Sequence, residues 1–157
     1  DTYMSDNAEA QYRLARMIHL GDGIIRDNTQ ASLWYLKAAR KGHAEAQNMV
    51  GNMYSEDGLL NYGVIKDDQI AVKWYMKAVA QDDANAHAAL AGFYAKGGVV
   101  KKNLNRAAEL YKKAFEIEEK NPPEKDPESK YNITLRGLYE ERLAEVEKAL
   151  NQGADSR

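Results

Sequence analysis

The chain has no cysteine, which removes disulfides, thiolate metal sites and cysteine nucleophiles together. Long hydrophobic runs are also missing. No stretch approaches the roughly 18 apolar residues that mark a bilayer span, and the mean hydropathy is −0.68, so membrane insertion is not expected. Charge of one sign is lacking as well. Lys plus Arg total 22 against 24 Asp plus Glu, a net charge of −2, so no global field draws nucleic acid or an anionic membrane surface. Asp1 to Asn7 contains no basic, apolar signal region, which reads as a mature chain or a piece of a longer one.

Motifs of chemistry are sparse. His19, His43 and His87 have no second ligand at helical spacing and no H-E-x-x-H occurs, so no metal site is expected. Gly21-Asp22-Gly23 and Gly97-Gly98 lack the Lys-Ser/Thr ending of a P-loop and read as turns, and no serine has a G-x-S-x-G context. No catalytic residue or cofactor is expected. Asn132-Ile133-Thr134 is a formal glycosylation sequon within an expected helix and carries no weight.

What the chain does have is a phrase written three times: Trp34-Tyr35-Leu36-Lys37-Ala38, Trp74-Tyr75-Met76-Lys77-Ala78 and Leu110-Tyr111-Lys112-Lys113-Ala114. Periods of 40 and 36 residues mark stacked supersecondary units that cannot bury their apolar faces alone. Ala8-Glu9-Ala10-Gln11, Ala44-Glu45-Ala46-Gln47 and Ala84-Asn85-Ala86-His87 open the units. The longer interval belongs to unit two, where Asp57-Gly58-Leu59-Leu60-Asn61-Tyr62-Gly63 replaces a shorter glycine turn; four residues are added to one loop.

Within each unit, apolar residues recur at spacings of three and four on both sides of glycine, which reads as a helical hairpin. The A helices are expected near residues 7–20, 43–56 and 83–96, and the B helices near 28–41, 68–81 and 104–119. Ala15, Gly51 and Ala91 share one register position, and Ala31, Ala71 and Ala107 another; such small residues let helices approach while Trp or Tyr fills the space beside them. The three units cover residues 7–42, 43–82 and 83–119. Pro122-Pro123 ends the array within a linker at 121–126. Asp126-Pro127-Glu128 then starts a helix expected over 127–152, with Gly153 as its stop. Its stripe of Tyr131, Leu135, Leu138, Tyr139, Leu143, Val146 and Leu150 suits a cap over the last repeat.

The alanine-led first helix, the glycine loop closed by Asp27, and Trp34, Tyr35, Lys37 and Ala38 in order resemble Sel1-like repeats, relatives of the tetratricopeptide repeat. Unit two repeats Asp67, Trp74, Tyr75, Lys77 and Ala78, whereas unit three departs at Val99, Asn103 and Leu110. The resemblance implies an all-α, right-handed α-solenoid of three helical hairpins plus a C-terminal capping helix. It further implies a non-catalytic adaptor or scaffold, whose A helices line a concave surface that holds another protein or peptide. Bacterial members are often periplasmic or secreted, and that is the lean for this chain.

If Leu14, Val50 and Leu90 point inward, the groove face carries Glu9, Tyr12, Arg16 and His19, then Glu45, Asn48, Asn52 and Glu56, then Asn85, Ala88 and Lys96. Tyr12 and Arg16 are residue types enriched at binding hot spots. Leu59, Leu60 and Tyr62 form a second candidate contact, either projecting from the array or folded back onto it. Projection would suit a different reading, an immunity-type inhibitor whose loop enters the cleft of a secreted bacterial toxin or enzyme. A repeat enzyme of unknown chemistry is the third class. A monomer is expected.

Overall fold

The computed structural model describes residues 7–55, 62–121 and 135–154. Among these there are seven helices and no strand: α1 (Ala8–Leu20), α2 (Asn28–Arg40), α3 (Ala44–Ser55), α4 (Asp68–Val79), α5 (Ala84–Lys96), α6 (Leu104–Lys120) and α7 (Leu135–Ala154). The all-α array of hairpins is therefore present, in two compact units, Asp1–Gln81 and Asp82–Arg157.

The repeat is visible first in its helix caps. Free N–H groups at a helix start need an acceptor, and short polar side chains supply it. Asp27 accepts from Gln30 N, Asp67 from Gln69 N and Ile70 N, and Asn103 from Arg106 N, so the change to asparagine in repeat three keeps the cap. At the A helices the caps are Asn7, which accepts from Glu9 N and Ala10 N, and Asp83, which accepts from Ala86 N. His43 holds the intervening position, its Nδ1 accepting from Ala46 N at 3.3 Å.

Each A–B loop is closed by one recurring backbone bond: Asp27 N to Ile18 O, Asp67 N to Tyr54 O and Asn103 N to Tyr94 O, at 3.2, 2.9 and 2.9 Å. The second loop carries its four extra residues inside the same closure. Loop closure entropy grows only slowly with length, so an insertion of this size is accommodated without displacing the helices on either side.

In the first unit α1 packs on α2, α2 on α3 and α3 on α4. Ala15, Ala31, Ala38, Ala46 and Val50 are wholly buried, and Tyr35 is almost so. The repeated phrase divides its labour here. Tyr35 and Tyr75 enter the core, while Lys37 sits over the Trp34 ring at 4.0 Å and Lys77 over Trp74 at 4.3 Å. Three residues apart on a helix, lysine and tryptophan meet as a cation–π pair of about 0.5–1 kcal/mol. Leu110 of repeat three has no such ring and is buried instead.

In the second unit α5 packs on α6 and α6 on α7. Tyr139 and Val146 are the buried anchors of α7, Leu143 and Leu150 are half-buried, and Leu138, expected on the same stripe, is exposed. Helical rotation explains this: 139, 143, 146 and 150 follow one face, and 138 lies a hundred degrees away. The expected start at Asp126-Pro127, the linker at 122–126 and Tyr131 lie outside the described residues. Gly153 does not stop the helix, which continues to Ala154. Glycine weakens a helix by about 1 kcal/mol but does not forbid it.

Candidate functional site

On the A-helix side of the first unit, rings from four segments adjoin in series. Tyr12, Arg16 and His19 fall at spacings of four and three on α1, so they share one face. His43 stacks on Tyr12, centroids 4.4 Å apart and planes 25° apart. Tyr12 leans on Tyr35 at 5.9 Å, His19 meets Tyr35 edge-on at 6.3 Å, and Tyr62 stacks on His19 at 5.6 Å and 13°. Tyr35 is thus the floor on which both α1 rings rest. Its burial pushes the hydroxyl far above the ordinary tyrosine range, with Tyr12 and Tyr62 adding and Arg16 opposing.

The ends of the series are polar. His43 Nε2 donates to Glu9 Oε2 at 2.8 Å while its Nδ1 caps α3, and Arg13 pairs with the other Glu9 oxygen. These bonds, that from His43 foremost, hold the Glu9 carboxyl below its ordinary range. At the other end the Tyr62 hydroxyl lies 3.3 Å from His19 Nδ1. With His19 neutral and its proton on Nε2, Tyr62 donates this bond. Burial depresses His19 below its ordinary value and Arg26 adds to that, against a hydrogen bond with Asn28.

The residues expected on the groove face separate by environment. Glu9 and Arg16 are exposed, and Tyr12 and His19 half-buried within the ring series. Tyr62 is buried, so the end of the inserted loop folds back onto the first hairpin and does not project. Glu45 is exposed, 3.3 Å from His43 Nδ1. Asn48, expected to face a partner, is 6% exposed with its Oδ1 unmet by any hydrogen bond. Asn52 accepts from the Tyr75 hydroxyl at 2.8 Å and so supports the core. In the second unit Asn85 accepts from the Tyr139 hydroxyl at 2.6 Å, Ala88 is half-buried, and Lys96 is exposed in the last turn of α5. Glu56, Leu59 and Leu60 lie outside the described residues.

Two contributors escape a reading by face alone. His43, which resembles a variation at a helix start, is both a cap and a stacking partner. Tyr35, which resembles core, is the floor of the series. A signal for His43 exists in register: Asn7 and Asp83 at its equivalent positions are ordinary caps, and only the imidazole also offers a flat face. His87 is 4% exposed and bonds the Asp83 carbonyl through Nδ1 at 2.8 Å, a satisfied buried side chain.

Chemically the arrangement offers ring faces, the exposed guanidinium of Arg16 within their span, those of Arg13 and Arg26 at its ends, and exposed carboxylates. Among the described residues no three His, Asp or Glu side chains gather as metal ligands, and no helix is long and apolar enough to cross a membrane.

The model of the Sel1 repeat matches residues 8–43, 44–83 and 84–116. A Sel1 repeat protein from Oxalobacter formigenes is similar in structure, with a TM-score of 0.65 and 33% identity over 71% of this chain and 44% of its own. A protective antigen of uropathogenic Escherichia coli strains that displays the SLR fold gives a TM-score of 0.62 and 35% identity, over 69% of this chain and 22% of its own. An exopolysaccharide production negative regulator of Rhizobium meliloti is 41% identical over 51 residues, 32% of this chain and 19% of that protein. The chain thus spans less than half the length of each of these relatives.

Proposed function

Because the chain belongs to the Sel1 repeat family, whose repeats are typically protein-interaction modules, we propose that it is a non-catalytic adaptor that holds a partner protein on the A-helix face of its first unit. The observation that carries this reading is the ring series from His43 to Tyr62 with Arg16 exposed within its span. Rings held by one another lose little conformational freedom on binding, and an arginine among them supplies directional donors, the pairing favoured at interface hot spots. Glu9 and Glu45, both exposed beside His43, add carboxylates at one end of the face.

The test is capture of partners from the source organism, followed by titration of the purified partner with wild type and Tyr12→Ala/Arg16→Ala. A hot-spot pair predicts affinity at least tenfold lower in the variant. Affinity is measured well below the variant's melting temperature, where its helical content matches wild type, since loss of the Tyr12 ring also removes packing on Tyr35. Undiminished affinity in that variant would remove the groove reading. A loss confined to a variant shortened between 57 and 61 would instead favour the inhibitor reading. Tyr62 weighs against that alternative, since its stacking on His19 ties the end of the loop to the first hairpin, whereas a loop entering a partner's cleft would project.

A further inference from the structure

Three tyrosines hold one register position, Tyr35, Tyr75 and Tyr111, and the A-helix residues that accompany them differ from repeat to repeat. In repeat two Asn52 accepts from the Tyr75 hydroxyl, and Ser55 Oγ lies 2.9 Å from it. In repeat one the equivalent residues are Arg16 and His19. In repeat three they are Gly92 and Ala95. Neither has a side chain that can reach the hydroxyl. A Cβ built at Gly92 would lie 3.7 Å from the Tyr111 oxygen, so empty space begins where Asn52 stands in repeat two.

The result is an open cleft of about 470 Å³ within the second unit. Tyr111 is 6% exposed, and among the described residues no hydrogen-bond partner meets its hydroxyl. Gly92, Ala95 and Val146 supply apolar walls, and Lys96, Arg142 and Glu145 also line the cleft. Arg142 is already paired with Glu145 at 3.1 Å, which leaves the lysine as the uncompensated charge.

We infer that this cleft is a binding site for an aliphatic carboxylate, which accepts from the Tyr111 hydroxyl, faces the Lys96 ammonium and lays its short stem on Gly92, Ala95 and Val146. The charge selects the ligand. Two cations and one carboxylate leave a single positive charge, which a monoanion balances, whereas a dianionic phosphate would remain uncompensated and face Glu145. A hydroxyl that opens into the cleft with no protein acceptor among the described residues gains more from a charged oxygen than from a neutral one, and the cleft is large enough to hold a small molecule or one acidic side chain.

The test is an NMR titration of the intact chain, following the amides of Gly92 and Ala95. The probes are propionate, N-acetyl-glutamate α-amide and N-acetyl-alanine, which present the group as a free acid, a side chain and a chain terminus; propionamide and inorganic phosphate are the controls. At least one acid is expected to shift both amides and to bind about tenfold more tightly than either control, and the arm that binds best identifies the source of the carboxylate. Lys96→Gln is expected to weaken binding about tenfold and Tyr111→Phe about threefold. Gly92→Asn/Ala95→Ser, which rebuilds the repeat-two floor, should abolish the shifts while the variant stays folded. Equal binding of propionamide or phosphate, retained binding in the folded rebuilt variant, or no response to any of the three acids would each overturn the site.

Discussion

Tyr75 and Tyr111 stand at the same position of successive repeats, yet their surroundings differ in almost every respect that matters energetically. Around Tyr75 the chain is tight. Its hydroxyl is held by Asn52 and Ser55, and its ring lies against Gly51, where an added Cβ would come within 2.5 Å of Cε1. Around Tyr111 it is open, with a cleft where Asn52 and Ser55 have their counterparts and 3.7 Å to spare at Gly92. A repeat therefore specifies where its ring goes on the B helix without specifying what fills the space beside it. That is decided by A-helix positions that differ between repeats, because a ring already buried at its B-helix position is anchored whatever its edge meets.

One added methyl group beside each tyrosine should have opposite effects in the two repeats. Gly51→Ala drives a Cβ into the Tyr75 ring and should cost about 1–3 kcal/mol. Gly92→Ala makes only ordinary contact and removes a helix-interior glycine, so it should gain about 0.5–1 kcal/mol. Urea unfolding of the two variants checks the opposite signs, and a matching loss in both would show that the tight and open floors do not differ.

Removing the hydroxyls gives a smaller contrast. Tyr75→Phe strands the Asn52 carbonyl and should cost about 1–2 kcal/mol, whereas Tyr111→Phe should stay within about 0.5 kcal/mol, both read from thermal melts.

The smallest effect separates the units by pH. His19 has its folded pKa lowered, chiefly by burial, so its contribution to stability is present above its unfolded value of about 6.5. It is lost as pH falls through the folded value. Glu9, also lowered in the fold, acts in the same sense in the more acidic carboxylate range, its loss muted by exposure. Both lie in the first unit. The melting temperature should therefore fall between pH 7 and 5 in wild type and less steeply in His19→Gln, and equal slopes would exclude His19 as the cause.

Much of the fold was legible in the recurring phrase. Asp27, Asp67 and Asn103 stand out in the sequence only as signature positions, the last as a departure, and the structure shows all three capping helix starts, a local device satisfied within three residues. The insertion before Tyr62 could be confined to one loop on register alone, and the closing bond from Asp67 to Tyr54 accounts for that. The candidate face was legible only in part. Tyr12, Arg16 and His19 share a face by helical spacing, but the same spacing placed Asn48 and Asn52 beside them, and the first is buried while the second holds the Tyr75 hydroxyl. The rotation of a helix against its neighbour shifts the boundary between solvent and core by about one residue, and no pattern within that helix records it.

By itself, then, the sequence determined the hairpin unit, its three-fold recurrence, its caps and the residues that lock each lysine over its tryptophan, because each depends on neighbours a few positions away. Tertiary structure alone decided that Tyr62 returns to stack on His19, that His43 joins Tyr12, and that Gly92 and Ala95 leave a cleft beneath Tyr111. These are meetings between segments, set by how closely two helices approach and what volume remains between them, and such distances are encoded jointly by residues far apart in the chain.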